Sequence, residues 1–364
     1  MLWYIFALVL SMLFASAAQR LKGKDNLEVD GGTFYYRSSY WCMVVLSFLP
    51  MFIVAAIRYE VGTDWPIYLD YYEWINEGKN KFSEGLFNLM NKFVGWSVGD
   101  FQGMVVLVAF LSYFFVFMAI YEQSISIPLS LLIFFVSASY FASMNQMRQA
   151  ISMPIMLYAY RYIQEKRPLP FFLWCIVATF IHASSLVYLP LYFAARVKPS
   201  VRRYTAVFGL CVITLPVLQI LFEVLIRYTK YAWYSTSVYN TGSQANNFYL
   251  LGFVFQMVML VIMAYYRFTS DEEDPVYDGM LNCYFLSVVT LLFTPVLSQV
   301  LRVSQCFGYC QILLMPRVIN REKDRTRRIV LYMLVIGLYA AKLLYDTYYL
   351  GWNGVIPYQT IFTR

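Results

Sequence analysis

The sequence predicts an all-α, polytopic integral membrane protein, on composition, segment length and periodicity. Of its residues 60% are hydrophobic and 13% charged, and mean hydropathy is +0.55, outside the range of soluble domains. Apolar runs long enough to cross roughly 30 Å of hydrocarbon recur along the chain, separated by short polar loops. These runs lack the alternation of a barrel strand, so each backbone N–H and C=O has to find its partner inside its own helix. The expectation is a single transmembrane domain over 1–364, with about 12 transmembrane or partly re-entrant helices.

Full-length spans are expected at 3–19, 39–57, 101–121, 204–222, 248–267, 280–299 and 329–349. The first begins Met1-Leu2-Trp3 with no basic stretch ahead of its apolar core, so it reads as a retained helix and not a signal peptide. Between the second and third spans, Pro66 suits a first helical turn, with Thr63 or Asp64 as its cap. Trp65, Tyr68, Leu69, Tyr72 and Ile75 then share one face of an interfacial helix. A second such helix is expected with Leu86, Leu89, Met90 and Phe93 on its apolar side and Asn88, Asn91 and Lys92 facing water. Within 127–163, two short apolar segments meet at Ser143-Met144-Asn145-Gln146-Met147-Arg148-Gln149. Interrupted spans of this kind line cavities.

Orientation follows the basic residues, which accumulate in cytoplasmic loops. The clusters at 20–37, 161–167, 196–203, 267 and 317–328 hold 18 of the 28 Lys and Arg. The opposite face carries the two longest loops, 58–100 and 223–247, which are therefore expected outside together with both termini. This assignment needs residues 169–196 to cross twice as short helices broken near His182, or to enter and turn back. The net charge of +7 is then membrane topology, and no nucleic-acid partner is expected. The six cysteines lie in or beside apolar segments, which implies no disulfide framework. Cys306 and Cys310, one turn apart, have no third ligand beside them, and no metal site or cofactor is expected.

Three arginines, Arg58, Arg148 and Arg302, come from separate parts of the chain and are predicted on the face that is poor in basic residues. Guanidinium forks match phosphate oxygens. An anionic lipid headgroup, a phosphate or diphosphate, is the implied ligand, with Gln146, Gln149, Tyr68 and Tyr309 as neighbours. Each arginine also has an ordinary reading as an interfacial anchor whose head reaches the headgroups. Asp64 and His182, the only histidine, supply acid–base capacity. Asp64 otherwise reads as a helix cap, and His182 as a satisfied core residue.

The order Gly62-Thr63-Asp64 with Arg58 upstream, then Asn145-Gln146-x-Arg148-Gln149, then Phe180-x-His182-x-Ser184, resembles the EpsG family of bacterial polysaccharide polymerases, similar in role to the Wzy O-antigen polymerases. The likeness runs from about residue 40 to residue 310. It implies a GT-C-like membrane glycosyltransferase with external interfacial helices, in the bacterial cytoplasmic membrane. Its donor and acceptor would be oligosaccharides on undecaprenyl diphosphate, and its reaction inverting and metal-independent. Asp64 or His182 would serve as base and the arginines as diphosphate binders. A chain-length regulator and a flippase are the protein partners such a reaction calls for. Two other classes compete: a lipid-linked oligosaccharide flippase, against which no duplicated halves are seen, and a membrane O-acyltransferase, which also uses a membrane histidine.

Overall fold

The computed structural model describes residues 1–24, 33–79, 84–226, 243–294 and 300–363. Every regular element among them is helical, as a chain that must satisfy its backbone without water requires. Two compact units form, Met1–Leu186 with Met315–Arg364, and Val187–Leu314.

The first unit opens with α1 (Leu2–Lys24) and α2 (Thr33–Ala56), which pack together along their lengths. The segment 58–100 holds α3 (Trp65–Asn76) and α4 (Gly85–Ser97), followed by the span α5 (Phe101–Gln123). Next come α6 (Ile127–Val136), α7 (Ser139–Asn145), α8 (Met147–Ala159), α9 (Arg161–Gln164) and α10 (Pro168–Ile181). Phenolic and hydroxyl groups tie these spans together inside. Tyr140 donates to the Met51 carbonyl at 3.0 Å, and Tyr113 lies 2.8 Å from Ser143 Oγ. Such bonds have no competing water in an apolar interior.

The second unit contains α11 (Leu191–Ala194), α12 (Val201–Ile226), α13 (Ser243–Phe268), α14 (Pro275–Leu291) and α15 (Val300–Gly308). Asn282 is its polar pin, donating to the carbonyls of Ala194 and Val197 at 3.0 and 2.7 Å and accepting from Tyr204 at 2.6 Å. Helices α14 and α15 meet over small residues, with Ser287 Oγ 2.8 Å from the Ser304 carbonyl. A Cβ on Gly308 would lie 2.8 Å from that same Oγ, so glycine permits the crossing. The boundary at Met315 falls within α16 (Gln311–Arg321), after which α17 (Arg325–Leu344) ends in a wide turn at Tyr345–Tyr349.

Among the described residues six helices are long and apolar enough to cross a bilayer, or seven with the pair α6–α7, bent by 56°. That falls below the expected dozen for a local reason. Helices α8, α10 and α14 stop after 13, 14 and 17 residues, short of a full crossing. The span expected at 280–299 runs partly outside the described residues, as does most of the proposed external loop 223–247.

One further correction concerns α4. Its buried residues are Phe87, Asn91 and Val94, while Leu89 and Phe93 are exposed. The departure from expectation is Asn91, which is buried and donates its amide to the Phe87 carbonyl at 2.8 Å, whereas Lys92 is exposed as expected. Helix α3 matches its expected face, burying Trp65, Tyr68, Tyr72 and Ile75.

The two ends of α5 separate two chemistries. Near Gln123, Lys22 donates to the Tyr121 carbonyl, Arg317 to the Gln123 carbonyl, and Arg161 pairs with Glu122. These three cations belong to clusters assigned to one face from the charge count. At the other end, Gln102 donates to the carbonyls of Ala56 and Arg58. With 23 residues, α5 places about 35 Å between these ends.

Candidate functional site

The Gly62-Thr63-Asp64 turn is pinned from two sides. Gly62 adopts φ +116° against α7, where a Cβ would stand 2.9 Å from the Met144 carbonyl oxygen. Only glycine fits that combination of dihedral and contact. Asn145, the last residue of α7, accepts from Thr63 Oγ1 at 3.0 Å and from the Asp64 N–H at 2.7 Å. Asp64 occupies the N-cap position of α3 without making a side-chain cap bond, and Pro66 stands in the first turn as expected. The half-buried carboxylate of Asp64 is therefore not consumed in capping its helix.

From the far end of the chain, residues 353–361 close over this turn. Gly62 N–H donates to the Gly354 carbonyl at 3.0 Å and Thr63 N–H to the Asn353 carbonyl at 3.2 Å. Tyr59 N–H donates to Gln359, Ile361 N–H to Ile57, and Arg58 bridges Thr360. Tyr4 Oη reaches the Val355 carbonyl at 3.0 Å. Helix α1, the Gly62-Thr63-Asp64 turn and residues 353–361 thus meet at one end of the first unit.

This closure encloses Arg58, expected as a headgroup-binding residue and here 1% exposed. Nη1 donates to the Ala55 carbonyl at 2.6 Å, and the guanidinium carbon lies 5.9 Å from the Trp65 ring. Tyr4, Tyr113, Tyr140 and Tyr358 surround it closely enough to act on its charge. Burial lowers its pKa below the ordinary arginine value, and the tyrosines act in the opposite sense.

A second cluster gathers Arg148, His182 and Tyr68 around a residue that sequence reasoning missed, Glu84. The carboxylate oxygen Oε1 lies 3.0 Å from Arg148 Nη1 and 3.8 Å from His182 Nδ1, and it accepts from the Ala183 N–H at 3.5 Å. Each partner stands at a break in the helical pattern. Arg148 is the second residue of α8, two positions after the kink at Gln146 (φ −93°, ψ 67°). His182 is the extended C-cap of α10 (φ −150°, ψ 114°), which frees the next N–H to point outward. Glu84 holds the N-cap position of α4, makes no cap bond there, and is 7% exposed. Tyr68 and Tyr71 on α3 act on the Arg148 charge as well. Burial alone would raise the Glu84 pKa, but the His182 imidazole and Arg148 guanidinium outweigh it and bring it down to about 2.

Gln146 and Gln149 are both buried on either side of Arg148. Arg302 and Tyr309 belong to the second unit, Arg302 half-buried in the first turn of α15 and Tyr309 buried just beyond its end. Among the described residues, no three His, Cys, Asp or Glu side chains gather in a group able to hold a metal ion. Glu84 left one signal in the sequence: glutamate is an unusual residue directly ahead of a helix, where Ser, Thr, Asp and Asn are preferred. The Asn353-Gly354 pair left another, being a turn dipeptide with φ of +66° and +57°.

A multi-pass helical membrane protein with a buried Glu–Arg–His cluster at its helix breaks is the class these features define. The EpsG family model matches residues 41–360, and the chain belongs to that family of Wzy-like polysaccharide polymerases. No curated protein and no solved structure matches the chain significantly.

Proposed function

We propose that the chain polymerises glycan repeat units at the outer face of the bacterial cytoplasmic membrane. A growing glycan on undecaprenyl diphosphate is transferred to the terminal sugar hydroxyl of a lipid-linked repeat. The observation that carries this reading is the convergence of Arg148, His182 and the Ala183 N–H on one carboxylate oxygen. It is a compact donor set for an anion, built in a family of polysaccharide polymerases. In the transfer, the acceptor oxygen bonds to the anomeric carbon from the side opposite the diphosphate. The carbon–oxygen bond to the diphosphate breaks, and the configuration inverts. Arg148 stabilises charge on the departing diphosphate. His182 or Asp64 takes the acceptor proton. Glu84 holds Arg148 and His182 at a common point, as carboxylates do for catalytic imidazoles elsewhere. The GT-C-like architecture, metal independence, a chain-length regulator and a flippase belong to the same reading.

The test is reconstitution of the purified protein in lipid nanodiscs with a defined lipid-linked repeat, products being resolved on a gel. Wild type yields a ladder of chain lengths. Arg148→Ala and His182→Ala leave single repeats; a normal ladder from both variants overturns the assignment. A flippase would instead move substrate across vesicles without elongating it.

A further inference from the structure

We infer that Asn353, nearly three hundred positions from the turn it supports, is a positioning residue for Asp64; this rests on Asp64 belonging to the transfer site. Asn353 is 4% exposed, and its Oδ1 accepts from Asn145 Nδ2 at 3.4 Å. The other end of the same Asn145 amide, Oδ1, receives the Asp64 N–H and the Thr63 hydroxyl. An amide has one acceptor end and one donor end. Fixing the donor end on Asn353 therefore fixes where the acceptor end lies, and with it the start of α3. The Asn353 carbonyl adds a second hold by accepting from Thr63 N–H at 3.2 Å.

The backbone around this node leaves few alternatives. Asn353 sits at φ +66°, a left-handed conformation that asparagine tolerates better than most residues. A Cβ on Gly354 would meet Thr63 N and Cγ2, both at 3.0 Å. The C-terminal turn is thus pressed against the turn it supports. Displacing a reacting group by about 1 Å costs on the order of 100-fold in rate, which is the sensitivity a positioning residue exploits.

Two variants at 353 separate the side chain from the backbone. Asn353→Gly keeps the left-handed conformation and loses the amide, whereas Asn353→Asp keeps the acceptor oxygen. In the nanodisc assay, Asn353→Gly should lower kcat about 10- to 100-fold, with KM changed by less than roughly threefold. Asn353→Asp should recover most of the turnover. Thr63→Val removes a donor to the same amide. Combined with Asn353→Gly, it should cost less than the product of the two single effects, because both act through Asn145.

Wild-type kcat in Asn353→Gly, or strictly multiplicative effects in the double variant, overturns the inference. Should Asn353→Gly fail to fold, Asn145→Asp, which exchanges the donor end for a charged acceptor oxygen, decides the matter by the same kcat criterion. Arg148→Ala and His182→Ala are run in parallel. If those variants still build polymer, the transfer reading fails; if they do not and Asn353→Gly is fully active, only the positioning role fails.

Discussion

Arg148 and His182 share one carboxylate oxygen, Glu84 Oε1, at 3.0 and 3.8 Å. Neither side chain is placed by its own helix alone. The arginine lies in the first turn of α8 and the histidine caps the end of α10, and a residue at the head of α4 meets both. Breaking such a contact leaves a largely buried charge without its counterion.

Glu84 makes stability depend on acidity in a defined direction. Its folded-state pKa of about 2 is below the ordinary glutamate value. Its contribution is therefore complete above that ordinary value and fades as pH falls toward 2. Thermal unfolding of wild type and Glu84→Gln in the same detergent should differ most near pH 6, by about 1–2 kcal/mol after screening. The gap should narrow as pH falls below the ordinary glutamate value and close only as it passes through about 2. A gap independent of pH would contradict this account of the carboxylate.

Gly62→Ala should destabilise the protein by about 2–3 kcal/mol, from the combined cost of φ +116° and the contact with the Met144 carbonyl. The melting temperature drops accordingly, and polymer yield drops with it. Gly209→Ala, whose Cβ meets nothing within 4 Å, is the control and should leave melting unchanged.

Arg58→Met should fold with stability within about 1 kcal/mol of wild type, since an apolar side chain of similar length suits an enclosed site. Arg58→Ala should cost about 2–4 kcal/mol through the cavity it opens among Tyr4, Tyr113 and Tyr140. Melting curves of the two variants decide it: equal losses would mean that the charge, and not the volume, holds this site.

Trp96 is 84% exposed and follows Leu89 and Phe93 along the outward face of α4. Exposed aromatic side chains beside a membrane span settle at the lipid interface. Brominated lipid in proteoliposomes should quench wild-type fluorescence more than that of Trp96→Phe. Identical quenching would place Trp96 in water.

Much of this architecture was legible because hydropathy reports directly on helices in lipid. The spans through Leu2–Lys24, Phe101–Gln123 and Val201–Ile226 follow from run length alone. The breaks at Gln146 and His182 were legible too, as polar residues interrupting apolar runs. Glu84 was not, because its partners lie 64 and 98 positions away, and local pattern carries no information about such pairings. The enclosure of Arg58 was not legible for a related reason. It depends on residues 353–361, which come from a distant part of the sequence to lie beside it. Asn91 was expected to face water and faces inward instead, because its amide is satisfied on its own helix.

The pairing of the Gly62–Asp64 turn with residues 353–361 also orders events in time. Thr63 and Asn353 are 290 positions apart, and chains are made at about 5–20 residues per second. The Asp64 turn is therefore synthesised roughly 15–60 s before the segment that holds it. Until then a nascent chain carries every residue of the Glu84 cluster but lacks the support of its Gly62–Asp64 turn. Completion of the site thereby waits for residues 353–361, long after its charged residues have been made.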